Sequence, residues 1–311
     1  MNVSIVVPVR NGGAQLEELL AALKNQTYPK GSVELVAADS ESTDGSREKL
    51  VRAGARVIDI PLATFDHGAT RDLAISKSTG EIVILVVGDA VPGSSGWIEG
   101  LVREFERPEV AATTCRQVAR PDAPAVTAKR LRESSYGSTE RRVNRLEPGT
   151  DFEWLPPLER LRLCTFDNVC SAVRRSAWEG NRFGPCAFAE DLAWAKRAIL
   201  AGHTITYTPD AHVIHSHDRS IGYEYARTYL AHYTLHHLFG VRTVPKWSGA
   251  WGSLWSSGPW IRCALTEERT LRRKVGGAIR APVERFATAI AQYQGARDSV
   301  LGRPARRFRG V

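Results

Sequence analysis

The sequence lacks an apolar run long enough to cross a lipid bilayer. The longest candidate, residues 82–87, has the length of a strand, whereas a membrane-spanning helix needs about 20 apolar residues. The first residues, MNVSIVVPV, enter an apolar segment without the basic region and small-residue cleavage site of a signal peptide. We therefore expect a cytoplasmic protein without a transmembrane anchor.

Cysteine is scarce, and no two cysteines have CxxC spacing. The chain of 311 residues contains five, at positions 115, 164, 170, 186 and 263. An odd number without paired spacing favours reduced thiols over a disulfide framework. The cysteine pattern therefore also indicates the cytoplasm.

Acidic residues are few in the last quarter of the chain. Residues 241–311 contain 14 Lys and Arg against four Asp and Glu, a net charge of +10. The whole chain carries 42 − 34 = +8, so residues 1–240 are close to −2. Because a nucleic-acid-binding domain needs cations on the surface that makes the contact, we expect no nucleic acid partner for the main body.

The first 120 residues alternate short apolar runs with segments of helical periodicity. The runs rich in Val and Ile predict strands at 3–9, 33–38, 56–60 and 82–87. The segments between them predict helices at 14–25, 46–53 and 70–76. This alternation predicts an α/β fold with a doubly wound, mostly parallel sheet that receives ligands at the carboxyl ends of its strands.

Periodicity is weaker in the middle of the chain. Charged stretches at 127–133 and 140–145 are helix candidates, and a strand candidate follows at 166–173. Glu190 and Asp191 then open an amphipathic helix predicted at 192–201, which Gly202 ends.

Polar or glycine-rich segments follow all four predicted strands. In chain order the motifs are PVRN at 8–11, DSxSTDG at 39–45, HGxxR at 67–71 and GDA at 88–90, and later ED at 190–191 and HSH at 215–217. Loops favour such residues anywhere, but four such segments in succession at the binding edge indicate a ligand site.

This ordered set resembles an inverting family 2 glycosyltransferase with the GT-A fold. FDHGxxR at 65–71, with RQ at 116–117 and RPDA at 120–123, is most similar to the bacterial rhamnosyltransferase branch. The resemblance implies a glycosyltransferase domain at 1–240, with a nucleotide-sugar half at 1–120 and an acceptor or catalytic half at 121–240. A basic, Trp-rich helical extension would follow at 241–311.

The resemblance implies a site for the nucleotide of a sugar-nucleotide donor. Asp39 would meet the pyrimidine edge with Ser40 beside it, and Pro8, Val9, Arg10 and Asn11 would line the same cleft. The alternative is that Asp39 and Ser40 only begin a turn or cap a helix.

Arg71 is the candidate cation for the diphosphate of that donor. A guanidinium can form paired hydrogen bonds with phosphate oxygens, and Gly68 permits close approach of a backbone. His67 could donate a hydrogen bond beside it, and Gly88 precedes the next candidate, Asp89. The alternative is an arginine on an exposed helix face.

Asp89 is the candidate ligand for a divalent metal, Mg²⁺ or Mn²⁺, which would bridge diphosphate oxygens. Relatives carry Asp-x-Asp, and Val87 stands where the first Asp is expected. His215 and His217 are candidate further ligands, with His215 closer to the family position. A pair of structural histidines is the alternative.

Asp191 is the carboxylate that the resemblance assigns as catalytic base, and Glu190 would support it or contact the acceptor. Inversion is a single displacement, so one carboxylate must take the proton from the attacking hydroxyl. Helix capping is the alternative for either residue.

The C-terminal extension combines tryptophans with cations. Trp247, Trp251 and Trp255 recur every four residues before a series of Arg and Lys residues that ends with Arg306, Arg307 and Arg309. Such a segment suits an anionic membrane surface. Packing of the Trp residues on the catalytic domain is the alternative.

The expected reaction is transfer of L-rhamnose from dTDP-L-rhamnose to a surface-glycan or lipid-linked acceptor. The alternatives are another nucleotide hexose, such as a UDP- or GDP-sugar, and a catalytically silent glycan-binding module. A dinucleotide oxidoreductase is disfavoured because no GxGxxG follows the first strand.

Overall fold

A computed structural model describes residues 1–29, 31–186 and 188–308 of the chain. Arg309, counted above among the C-terminal cations, lies outside the described residues. The chain forms two compact units. The first contains Met1–Val118, Ser135–Trp154 and Arg162–His215, and the second contains Ala119–Ser134, Leu155–Leu161 and Ser216–Val311.

The described residues form nine strands and twelve α-helices. The strands are β1 Val3–Val9, β2 Val33–Asp39, β3 Arg56–Asp59, β4 Ile82–Val86, β5 Val91–Pro92, β6 Val110–Val118, β7 Arg142–Asn144, β8 Cys170–Arg174 and β9 Thr204–Ile214. The helices are α1 Gly13–Lys24, α2 Ser46–Arg52, α3 His67–Ser76, α4 Trp97–Val102, α5 Ala125–Glu133, α6 Pro157–Leu163, α7 Arg175–Gly180, α8 Glu190–Leu200, α9 Ile221–Phe239, α10 Gly249–Trp255, α11 Gly258–Glu267 and α12 Leu271–Val300.

The strands of the first unit form one sheet in the order β3-β2-β1-β4-β8-β6-β9-β5, with β7 paired to β9. β1 to β4 pair in parallel, as do β6 and β9, whereas β8 runs antiparallel between β4 and β6. The predicted α/β class with parallel β1–β4 is confirmed. Because these strands are parallel, their carboxyl ends share one edge, where Val9 lies opposite Asp39.

The core of the first unit forms because the strands are apolar on both faces. All five residues of β4 are buried, as a central strand covered on both sides requires. Helix α1 adds Leu16 and Leu19 at helical spacing, and neither is exposed. The strand ends are thereby fixed by packing, and the polar segments that follow them lie at a rigid edge.

Two predictions in the middle of the chain differ from the structure. The helix predicted at 140–145 is wrong, because the segment contains β7, which pairs antiparallel with β9 and places the Arg142 guanidinium over the Tyr207 ring at 3.9 Å. The strand predicted at 166–173 begins only at Cys170, and residues 167–169 form a turn before it. Strand β6 was missed because Ala and Thr interrupt its apolar pattern.

The second unit is helical. Arg130 of α5 joins three helices through ion pairs with Glu224 of α9 and Glu284 of α12. Arg280 of α12 pairs with Glu284 on the same helix and with Asp218 before α9. Part of the C-terminal positive charge is therefore neutralised inside this unit. The domain boundary expected at residue 240 stays a prediction. In the structure, residues 216–240 belong to the same compact unit as the C-terminal helices. Among the described residues, no helix has the length and apolarity to cross a membrane.

Candidate active site

The loops after β1 and β2 are held together by side chains of the DSxSTDG motif and by Ser46, the first residue of α2. The backbone amides of Asn11, Gly12 and Gly13 donate to Ser42 Oγ, Ser46 Oγ and Asp44 Oδ2, each at 2.9 Å. The Asn11 side chain accepts in return from the Thr43 amide at 2.8 Å. Most of this motif therefore shapes the edge of the sheet.

Asp39 and Ser40 are buried at the same edge. Asp39 Oδ2 accepts from the Ser42 amide at 3.1 Å. Asp39 Oδ1 and Ser40 Oγ are buried and make no hydrogen bond within the described part of the chain. An apolar-walled cleft of about 220 Å³ lies beside them, lined by Pro8, Val9, Arg10, Ser40, Leu62 and Phe65. Asp39 can therefore have both roles, since Oδ2 forms the turn and Oδ1 is left for a ligand.

Helix α3 carries the HGxxR motif in its first turns. Asp66 caps the helix by accepting from the Ala69 amide at 2.8 Å, and it also accepts from the Cys186 amide at 2.9 Å. A Cβ on Gly68 would lie 2.0 Å from the carbonyl oxygen of Gly184. The close approach expected at Gly68 is therefore made by the loop before α8.

Arg71 is buried, not exposed on a helix face. Its Nη1 lies 2.8 Å from Glu190 Oε1 and donates to the His67 carbonyl at 3.0 Å, while its Nε is buried without a hydrogen bond among the described residues. Burial lowers the pKa of His67, an effect that outweighs the neighbouring Glu190 carboxylate. The lowered pKa favours the neutral form of the His67 ring.

Glu190 and Asp191 begin α8, where the helix N-terminus favours negative charge. Glu190 is buried and accepts from Asn168 Nδ2 at 3.1 Å. Asp191 accepts from the amides of Leu192 at 2.7 Å and Asn168 at 3.4 Å. Asp191 is less buried than Glu190 and retains a partly exposed surface.

The pKa of Asp191 is strongly perturbed. Desolvation, followed by the carboxylates of Glu190 and Asp167, raises the pKa of Asp191 to about 8. A carboxylate with so high a pKa is a much stronger base than an ordinary aspartate and is matched to proton transfer near neutral pH. The structure thus brings together the two predicted carboxylates and Arg71.

Asp89 lies in the turn after β4, and His215 lies just after β9. His215 Nε2 is 3.8 Å from Asp89 Oδ1, and His215 Nδ1 is 3.2 Å from Gln117 Oε1. Val87 follows β4 and packs against the apolar core. His217 belongs to the second unit, where its Nδ1 lies 3.5 Å from Arg219 Nη2.

Sequence reasoning missed three residues that contact the predicted site. Asn168 bonds both Glu190 and Asp191, Gln117 bonds His215, and Gln117 Nε2 donates to Asp167 Oδ2 at 2.7 Å. Gln117 lies in the RQ motif at 116–117, which indicates the family but no role for this side chain. Asp167 and Asn168 were missed because they fell inside a predicted strand, although Asp-Asn is a typical turn pair.

A polar edge of parallel strands, a buried carboxylate beside an apolar cleft and two carboxylates at a helix N-terminus agree with the resemblance to a GT-A glycosyltransferase. Residues 4–158 match the model of the family described as "Glycosyl transferase family 2". The chain belongs to this family, and it is a glycosyltransferase.

Two curated relatives cover most of the chain. It is 30% identical over 240 residues to the O-antigen chain rhamnosyltransferase RfbN of Salmonella typhimurium, an alignment that covers 73% of this chain and 70% of that one. It is also 30% identical over 228 residues to the O-antigen chain rhamnosyltransferase WbaN of Salmonella anatum, covering 72% and 69%.

Solved structures share the fold at low identity. The mannosyltransferase PcManGT from Pyrobaculum calidifontis, solved with GDP-Man and Mn²⁺, superposes with a TM-score of 0.60 at 18% identity, over 97% of this chain and 88% of that one. TarS from S. aureus, solved with UDP-GlcNAc, gives a TM-score of 0.53 at 16% identity, over 98% and 93%. These similarities confirm the predicted GT-A fold.

Proposed function

We propose that the protein transfers L-rhamnose from dTDP-L-rhamnose to a bacterial surface-glycan or lipid-linked acceptor, with inversion at the anomeric carbon. The names of the two Salmonella relatives support the sugar and the acceptor class. The observation that carries the reaction type is the position of the Asp191 carboxylate at the start of α8, where it accepts from the Leu192 amide at 2.7 Å and lies next to the Arg71–Glu190 pair.

Asp39 is the proposed partner of the nucleotide base. A thymine or uracil ring presents one N–H between two carbonyls, and the buried Asp39 Oδ1 is an acceptor that the described residues leave without a donor. Leaving such an atom unsatisfied costs about 1–3 kcal/mol, which an incoming N–H would recover. The apolar walls of the adjoining cleft suit the face of the ring.

Asp191 is the proposed general base. The acceptor hydroxyl oxygen forms a bond to the anomeric carbon while its proton passes to the Asp191 carboxylate. The bond from that carbon to the diphosphate oxygen breaks, and the diphosphate leaves with the electron pair. Glu190 is held by Arg71 and Asn168, so it supports the site and leaves proton transfer to its neighbour.

Asp89 and His215, which both belong to the first unit, are the proposed ligands of a divalent metal. One carboxylate oxygen and one imidazole nitrogen 3.8 Å apart form a donor set for a divalent ion, Mn²⁺ or Mg²⁺. A metal bound there would neutralise charge on the departing diphosphate.

The second unit carries the proposed membrane-facing surface. Helix α12 exposes apolar side chains at every fourth residue, and we name this set the α12 apolar stripe: Leu271, Val275, Ile279 and Val283. Residues four apart lie on one face of a helix. Arg269 and Arg272 are exposed at the same end. Exposed apolar side chains next to positively charged arginines fit an anionic lipid surface, where a lipid-linked acceptor would be found.

The donor is tested with a panel of nucleotide sugars and purified protein, with and without Mn²⁺ or Mg²⁺, by nucleoside diphosphate release in the presence of a lipid-linked glycan acceptor. The proposal predicts turnover with dTDP-L-rhamnose. Turnover with a UDP- or GDP-sugar alone would overturn the choice of donor. Donor binding without turnover under every condition would indicate a glycan-binding module.

A further inference from the structure

The side-chain amide of Gln117 bridges two other groups of the site. Gln117 lies near the end of β6, is 6% exposed, and pairs in the sheet with Val213 of β9. Its Nε2 donates to Asp167 Oδ2 at 2.7 Å, and its Oε1 lies 3.2 Å from His215 Nδ1. His215 in turn places Nε2 at 3.8 Å from Asp89 Oδ1.

The donors and acceptors available on each side chain fix the direction of these hydrogen bonds. An ionised carboxylate only accepts hydrogen bonds, so Gln117 must present its NH₂ group to Asp167 and its carbonyl oxygen to His215. That oxygen also only accepts, so the proton of a neutral His215 ring must be on Nδ1. The lone pair is then on Nε2, the nitrogen that faces Asp89.

We propose that Gln117 and Asp167 are positioning residues that hold His215 in its Nδ1–H tautomer, so that Nε2 is preset, with Asp89 Oδ1, to bind a divalent cation. This inference rests on the proposed function, because it concerns the metal site assigned there. Ligating histidines are commonly fixed in this way by a hydrogen bond on the other ring nitrogen.

Asp167 is itself held in place. Its Oδ1 accepts from the Val169 amide at 2.7 Å, so the carboxylate cannot turn without losing a bond within its own turn. The next residue, Asn168, bonds both Glu190 and Asp191. The turn before β8 therefore orients both groups. Asn168 orients the proposed base, and its neighbour Asp167 orients the proposed metal ligand through Gln117.

Two variants separate this role from simple packing. Gln117→Met keeps the length of the side chain and removes both hydrogen-bonding groups. Asp167→Asn keeps the shape but can donate to Gln117 Oε1, which allows the Gln117 amide to turn over and present NH₂ to His215. Thr113→Val is the matched control, since Thr113 is buried on the same strand and its hydroxyl makes no hydrogen bond among the described residues.

The measurements are Mn²⁺ affinity by electron paramagnetic resonance and the tautomer of His215 by ¹⁵N NMR of the metal-free full-length chain. The expected results are an Nδ1–H ring in the wild type, a 10–100-fold loss of Mn²⁺ affinity in Gln117→Met, and a shift towards the Nε2–H ring in Asp167→Asn. Thr113→Val should match the wild type in both measurements.

An Nε2–H ring in the wild type, or wild-type Mn²⁺ affinity in Gln117→Met, would overturn the inference. The tautomer measurement needs neither metal nor turnover, so the two proposals fail separately. If the wild type shows the Nδ1–H ring but transfers no sugar, that result counts against the proposed function alone. Full transfer by Gln117→Met with unchanged Mn²⁺ affinity counts against the positioning role alone.

Discussion

Arg71 Nη1 lies 2.8 Å from Glu190 Oε1, and both side chains are almost completely buried. The pair joins α3 to α8 and neutralises the carboxylate that lies directly before Asp191 in the chain. Each partner has a further hydrogen bond, from Arg71 to the His67 carbonyl and from Asn168 to Glu190. Such a pair fixes the start of α8, and with it the position of the proposed base.

Removing one partner of this pair should strongly destabilise the first unit. Arg71→Ala leaves Glu190 buried without its cation, and breaking a buried pair in this way typically costs about 3–5 kcal/mol. The measurement is the free energy of unfolding in urea. Arg47→Ala is the matched control, because Arg47 and Asp59 are also 2.8 Å apart but exposed, and its loss of stability should be much smaller. Equal losses in the two variants would contradict a structural role for the buried pair.

Gly68 should tolerate no side chain, because its neighbour is backbone. In Gly68→Ala the new Cβ would meet the Gly184 carbonyl oxygen at 2.0 Å, so α3 and the loop before α8 must separate. We expect a clear fall in melting temperature together with weaker turnover, since this loop leads into Glu190. Gly180→Ala is the control, because a Cβ there meets nothing within 4 Å. An unchanged melting temperature in Gly68→Ala would show that the two backbones are not in contact.

Asp191→Asn should stabilise the protein, and increasingly so as the pH rises. The pKa of Asp191 is raised to about 8 in the folded protein, chiefly by burial, so the folded state holds this proton more tightly than the unfolded chain. The stability that this proton provides is complete below the unfolded pKa of about 4 and is lost as the pH rises to about 8. Asparagine does not ionise, so the variant does not lose this stability as the pH rises. The melting temperature difference between variant and wild type should therefore be small at pH 4 and largest at pH 8–9, and a difference that is constant with pH would contradict the raised pKa.

The α12 apolar stripe should contribute to membrane binding. Replacing Val275 and Ile279 by Ser removes two exposed apolar side chains without changing charge, so association with vesicles should weaken several-fold. The measurement is co-sedimentation with vesicles of anionic and of zwitterionic lipids, and binding of the wild type should require the anionic ones. Val51→Ser, at an exposed position of the first unit, is the control. Equal binding by all variants would leave the stripe without this role.

Much of the first unit could be predicted because its signals are local. Strands β1 to β4 consist largely of Val and Ile and alternate with helices of clear periodicity, so their positions agree with prediction to within about one residue at each end. The short β7 gave no such signal, because a three-residue strand is stabilised by its partner β9 and not by its own composition. The charged residues at 140–145 instead suggest a solvent-exposed helix.

The partners of the site residues could not be predicted, because they are distant in sequence. Nothing local to Arg71 indicates that Glu190 is its partner. The raised pKa of Asp191 depends on burial and on Asp167, and both follow only from the fold. Gln117 and His215 are likewise 98 positions apart. Residue types and order indicated the family, while the pairings that give each residue its chemistry required the structure.

Asp191 is proposed as the base of an inverting sugar transfer. This role is tested by comparing wild type and Asp191→Asn in single-turnover transfer from dTDP-L-rhamnose, with the anomeric configuration of the product read by NMR and nucleotide binding measured in parallel. We expect an inverted product, and a rate for Asp191→Asn lower by about 10²–10⁴-fold with nucleotide affinity unchanged. A product of retained configuration, or transfer by Asp191→Asn at the wild-type rate, would contradict this role.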